Sequence, residues 1–158
     1  MAFEMTESGK ALTEAQLQAV ESRFGLALPN SYRRFLLAHN GGRSERCVFY
    51  YKDESGPYTD SVIDWWFAIN DGGNPSFEEY YQEFKIDEVR VPVSLVPIAH
   101  DPGGSLICIS VGKEDNGSIY FWDAGDDSGY VPGETPTMSN CHLVADSLEE
   151  FVDSLTLE

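Results

Sequence analysis

Residues 105–122 read SLICISVGKEDNGSIYFW, and this stretch decides the class of the fold. Two runs rich in β-branched and aromatic residues, Ser105 to Val111 and Ser118 to Trp122, flank Asp115-Asn116-Gly117. Asparagine and glycine tolerate the positive backbone dihedrals that a tight hairpin turn demands. The spacing therefore predicts an antiparallel hairpin. Upstream, Asp101-Pro102-Gly103-Gly104 is glycine-rich but precedes a strand. A phosphate-cradling loop follows a strand and opens a helix, so that backbone N–H groups converge on the anion. The order is wrong for a nucleotide site and predicts a tight turn feeding the Ser105 strand.

Working outward, helices bracket this hairpin. Thr13 and Gln16 have the spacing of a capping box, and Leu12 and Leu17 stand where a hydrophobic staple closes across it. Leu17, Val20 and Phe24 continue one apolar stripe to Gly25, a left-handed C-cap. A second helix begins near Pro29, buries Tyr32, Phe35 and Leu36, and stops at Asn40-Gly41-Gly42. A third opens at Ser76 with Glu79 in a second box, and ends before Pro92. A fourth opens at Ser147, with Glu150 in a third box and Leu148, Phe151 and Leu155 aligned. Between them, Cys47 to Tyr51 and Ser61 to Ile69 read as strands joined by a long acidic connection, Lys52 to Asp60. A Gly/Asp/Pro-rich loop runs from Ala124 to Asn140, followed by a short apolar segment at Leu143 to Ala145. The pattern predicts one domain over residues 1–158, with its core at about 12–155.

The chain has 158 residues and a formal charge of -17, from 10 Lys+Arg against 27 Asp+Glu. A hydrophobic content of 42% is too apolar for a disordered acidic tail, so the charge coats a folded body. The charge is uneven: residues 91–158 hold one basic side chain, Lys113, against 12 acidic ones. Such a surface repels nucleic acid and anionic membranes and favours a basic partner. No stretch approaches the ~18 apolar residues of a membrane span. The start, Met1-Ala2-Phe3-Glu4-Met5, lacks the features of a signal peptide, and a cytoplasmic location is expected.

Little here suggests catalysis. Cys141-His142 is the only adjacent Cys/His pair, and neighbours on an extended segment point to opposite faces. His39, His100 and His142 lack metal-ligand spacing, Asp123, Asp126 and Asp127 depart from the calcium-loop pattern, and Cys47, Cys108 and Cys141 read as reduced core thiols. No catalytic residue, metal or cofactor is expected. Partner binding is better represented, because carboxylates steer a basic protein while tyrosines supply contact area. The candidates are Asp53, Glu54, Tyr58 and Asp60 in one acidic segment, and Asp126, Asp127 and Tyr130 in the other. Trp66 joins them, since one indole of Trp65-Trp66 faces the core and the other is free to anchor a partner.

The ordered features resemble the SUKH superfamily, in particular the branch that includes fungal cell-wall-assembly regulators and many bacterial immunity proteins. Three anchors carry the resemblance. They are Gly25-Leu26-Ala27-Leu28-Pro29-Asn30-Ser31-Tyr32-Arg33-Arg34-Phe35-Leu36 with Asn40-Gly41-Gly42; Val96-Pro97-Ile98-Ala99 with Gly103-Gly104, Leu106-Ile107-Cys108 and Gly117 to Asp123; and Ala145 to Phe151. Ser110 departs from a pattern that often places an acidic residue soon after the cysteine. The resemblance implies an α+β domain, with a central mixed or antiparallel sheet and about four helices packed around it. It also implies an immunity protein that neutralises a cognate toxin. Joined to the acidity, it points to a basic nuclease as the toxin and to a monomer or weak dimer when free. A non-catalytic regulatory scaffold is the alternative.

Overall fold

The structure is a computed structural model and describes residues 3–52, 58–70 and 72–158. In chain order the elements are β1 (Met5–Thr6), α1 (Glu14–Phe24), α2 (Asn30–Ala38), β2 (Arg43–Ser44), β3 (Arg46–Lys52), β4 (Tyr58–Val62), β5 (Trp65–Trp66) and α3 (Phe77–Tyr81). A π-helical turn, Gln82–Asp87, continues α3. Then come β6 (Leu95–His100), β7 (Leu106–Ser110), β8 (Ile119–Trp122), β9 (Cys141–Ala145), α4 (Leu148–Ser154) and β10 (Thr156–Leu157). The expected α+β class is observed.

Five antiparallel strands in the order β5-β6-β7-β8-β9 form the central sheet, and β10-β3-β4 form a second one. The predicted hairpin is β7–β8, with Ile107 opposite Phe121 and Ile109 opposite Ile119. Its turn is locked by the Asp115 carboxylate, which accepts from Ser110 Oγ and Tyr120 OH, each at 2.6 Å. Ser110, the departure from the family pattern, thus has a structural role.

Side chains alternate across β8, so it supplies both faces of the sheet. Phe121 packs on Phe49 of the second sheet at 5.7 Å, and Phe49 meets Phe151 of α4 at 5.6 Å. Trp122 points the other way and meets Phe84 of the π-helical turn at 5.6 Å. The core is therefore two layers on either side of one sheet.

The helices start where predicted, but only one of the three predicted capping boxes closes: at Ser76 the hydroxyl accepts from Glu79 N without a return bond from the Glu79 carboxylate. Thr13 and Gln16 exchange both hydrogen bonds of a capping box, and Gly25 closes α1 at φ 65°. Ser147 Oγ caps Glu150 N at 3.1 Å, but the Glu150 carboxylate reaches Asp146 N, one residue short of closing the box. Asn40-Gly41-Gly42 does more than end a helix. Buried Asn40 donates to the carbonyls of Lys10 and Ile69 and accepts from Ile69 N. A Cβ at Gly41 would stand 2.7 Å from Ala68 N, so the close backbone approach requires glycine.

The strand predicted for Ser61 to Ile69 breaks in two. Tyr58–Val62 pairs with β3, whereas Trp65–Trp66 crosses to pair with His100 and Ala99 of β6. Periodicity did not reveal β6, because Pro97 interrupts it. Proline cannot donate to a sheet ladder and is tolerated where pairing is irregular. The register shifts between Pro97 and Ala99, where Ile98 is the extra residue.

Candidate partner-binding surface

Alternation along β3 sends Phe49 and Tyr51 inward and Tyr50 and Lys52 outward. Across the ladder Tyr50 faces Asp60 and Lys52 faces Tyr58. These four exposed side chains share one outer face of the hairpin, with Tyr50 54% and Tyr58 71% accessible. Tyr58 and Asp60 are therefore strand residues and not part of a loop. Asp53 and Glu54 lie outside the described residues.

The inward side fixes this hairpin to the central sheet. The Tyr51 ring stacks on Phe121 at 4.4 Å and lies 5.3 Å from His142 of β9. Ser61 Oγ donates to Asp101 Oδ2 at 3.2 Å, and Asp101 Oδ1 accepts from Gly103 N and Ser105 N. The expected tight turn is thus built by Asp101. Ser105 Oγ in turn accepts from Ala124 N, near the start of the long β8–β9 loop. Strand β4, the β6–β7 turn and the start of the β8–β9 loop are thus tied together.

The β8–β9 loop is held along its length. Asp123 N donates to Asn140 O, and Asn140 Nδ2 donates to Asp123 O, both at 3.0 Å. Buried Gly129 packs against Asn140, where a Cβ would approach Oδ1 to 2.6 Å. Asp126 Oδ1 accepts from Ser128 N at 3.0 Å, which holds its carboxyl below the usual aspartate range, with a smaller electrostatic contribution from His142. Asp127 is exposed, and Tyr130 lies under the Arg90 guanidinium at 5.1 Å.

Trp66 requires correction. It is 1% exposed, packs on Phe35 at 4.8 Å and donates from Nε1 to Ser44 Oγ, so it presents nothing to a partner. Bridging between β2 and β6 buries this strand, and the half-exposed indole is Trp65, with Arg43 over its ring at 5.3 Å. Tyr50 and Lys52 were not among the candidates, although period-two alternation in CVFYYK carries the signal. Arg90 had no local signal, because its contact with Tyr130 is long-range.

The other reactive side chains are dispersed. His39 packs against Phe35, His100 stacks on Tyr80 and His142 rests on Tyr51. Burial pushes the Cys141 thiol up to about 12, which keeps it protonated at neutral pH. All three cysteines are free, with Cys108 buried and Cys47 and Cys141 only partly so. A cleft of about 550 Å³ beside α3 is lined by Arg23, Glu78, Glu79, Glu83 and Asp87 among others, and by none of the candidate residues. Among the described residues no helix is long and apolar enough to cross a membrane.

The sequence pattern of the SMI1/KNR4 family (SUKH-1) matches residues 11–154, from the approach to α1 to the end of α4. The chain belongs to the SMI1/KNR4 family. A similar relative is the SPbeta prophage-derived uncharacterized protein YokK of Bacillus subtilis (strain 168). It is 28% identical over 163 aligned positions, which cover 92% of this chain and 76% of that protein. The SMI1/KNR4 match spans all four helices and every strand except β1 and β10, so the turn at Asp101 lies within the family fold.

Proposed function

We propose that this chain is an immunity protein that binds and neutralises a cognate toxin, a basic nuclease, through the acidic surface at the Asp101 end of the sheet. The observation that supports the reading is that Tyr58 and Asp60 stand exposed on a hairpin packed through Tyr51 against Phe121 and His142, while exposed Asp127, with Asp126 and Tyr130, belongs to the β8–β9 loop that Ser105 Oγ holds at the Asp101 turn. Asp53 and Glu54, between β3 and β4 in sequence, extend the same acidic segment. Family membership supports the role, and a prophage-derived relative fits a gene carried with mobile elements.

The physics of such inhibition is direct. A nuclease that grips a phosphate backbone exposes lysine and arginine there. An acidic inhibitor competes for that surface, and long-range attraction raises its association rate. Tyrosines at the centre supply apolar contact at low conformational cost. No group of the inhibitor need react, and neutralisation in the cytoplasm is by stoichiometric occupation.

The test is titration calorimetry with the toxin domain encoded beside this gene, together with its nucleic-acid cleavage. One-to-one binding with loss of cleavage supports the proposal. A toxin that does not bind, or binds and still cleaves, contradicts it.

A further inference from the structure

Two basic side chains turn inward where the π-helical turn meets residues 88–93. Lys85 Nζ donates to the carbonyl oxygens of Pro92 and Val93. Arg90 lies over the rings of Trp122 and Tyr130, at 5.7 and 5.1 Å, and its Nε is buried without an acceptor among the described residues. These contacts fold the segment back beside the turn and bring it to the β8–β9 loop. They turn both cations toward carbonyls and rings, and Arg90 also lies 3.9 Å from the Glu88 carboxylate.

The segment so folded, with the loop residue after Tyr130, carries exposed aliphatic side chains. Ile86 is 47%, Val89 43%, Val93 75% and Val131 50% accessible, and Val131 follows Tyr130 directly. Beside the first three in sequence are the exposed carboxylates of Glu83, Asp87, which also accepts from Gln82, and Glu88, which also pairs with Arg90 at 3.9 Å. Val89 adopts φ 50°, a region that β-branched residues rarely enter. Glycine or asparagine would sit there with less strain, and core packing does not explain the valine, because its side chain faces solvent. Adjacent exposed aliphatics rimmed by polar groups mark interaction surfaces.

We propose that Ile86, Val89, Val93 and Val131, within the rim of Glu83, Asp87 and Glu88, dock a protein segment in which aliphatic side chains alternate with lysine or arginine. The rim selects this occupant by charge. An anionic lipid surface meets three carboxylates, and a second copy brings the same three carboxylates and a net charge of -17. The face borders Tyr130 but does not depend on the partner being a toxin.

The experiment is an amide-resolved NMR titration of the full chain with a synthetic peptide alternating lysine with leucine and valine. Saturable shifts centred on Ile86, Val89, Val93 and Val131 are expected. A peptide alternating lysine with glycine should bind about tenfold more weakly, because the aliphatic contacts are absent. Val93→Asp should weaken binding by a similar factor. Should that variant fail to fold, Val89→Gly decides: it relieves the backbone, so the melting temperature holds or rises while binding weakens. Shifts spread evenly over the acidic surface, equal binding of the glycine peptide, or unchanged binding by folded Val93→Asp or Val89→Gly overturns the proposal. Toxin rescue plays no part in this test, so the two readings fail separately.

Discussion

The Tyr51 ring of β3 stacks on Phe121 of β8, with centroids 4.4 Å apart and an interplanar angle of 28°. This contact ties the outer hairpin, which carries Tyr58 and Asp60, to the central sheet. Truncation of a fully buried aromatic costs about 3–5 kcal/mol, and a partly buried one less. Tyr51→Ala is expected to lower stability by about 2 kcal/mol, read from urea denaturation. It should also weaken toxin binding, although the side chain faces inward.

Gly41 and Gly25 predict contrasting outcomes for the same substitution. Both have positive φ, but a Cβ at Gly41 meets Ala68 N at 2.7 Å, whereas nothing lies within 4 Å of one at Gly25. Gly25→Ala should cost only the left-handed penalty, about 1 kcal/mol. Gly41→Ala adds a backbone clash and should cost about 3 kcal/mol or more. Denaturant midpoints of the two variants check the ranking.

The Asp115 lock has a pH signature. Hydrogen bonds from Ser110 and Tyr120 hold the Asp115 carboxyl below its ordinary value, so its stabilisation is present above about pH 4 and is lost as pH falls through the lowered pKa. Burial, reinforced by Asp115, pushes Tyr120 up to about 12, so that contribution is present below the ordinary tyrosine value of about 10 and is lost as pH rises toward 12. Asp115→Asn should cost about 1.5 kcal/mol at pH 7 and flatten both limbs. Melting temperatures across pH for the two proteins measure this.

Lys85 acts in the opposite sense. Burial draws it down from 10.5 to about 8, so the unfolded chain binds the proton more tightly between those values. Its contribution to stability therefore rises with pH from about 8 to 10.5. Relative to Lys85→Met, the wild type should gain stability across that window. A constant difference between the two melting curves would contradict the buried-amine account.

Much of this architecture was legible because its signals are local. Thr13, Ser76 and Ser147 announce helix starts through their own backbones, and Asn116-Gly117 announces a turn through its permitted dihedrals. β6 was hidden because Pro97 violates strand chemistry locally and is accommodated only by a bulge against Cys108 and Ile107. Trp65 and Trp66 show the same limit at the site. Alternation states that they part, but which one is buried depends on Phe35 and Ser44, far away in the chain. Arg90 and Tyr130 likewise meet only through the packing of two loops.

The central claim is neutralisation through the acidic end of the sheet, and growth of cells producing the adjacent-gene toxin tests it most directly. Wild-type chain should restore growth. The double charge reversal Asp126→Lys, Asp127→Lys should fail to restore it while changing stability by no more than about 0.5 kcal/mol, the usual range for loop-surface substitutions. Absence of rescue by the wild type, or full rescue by the folded reversal variant, would contradict the account.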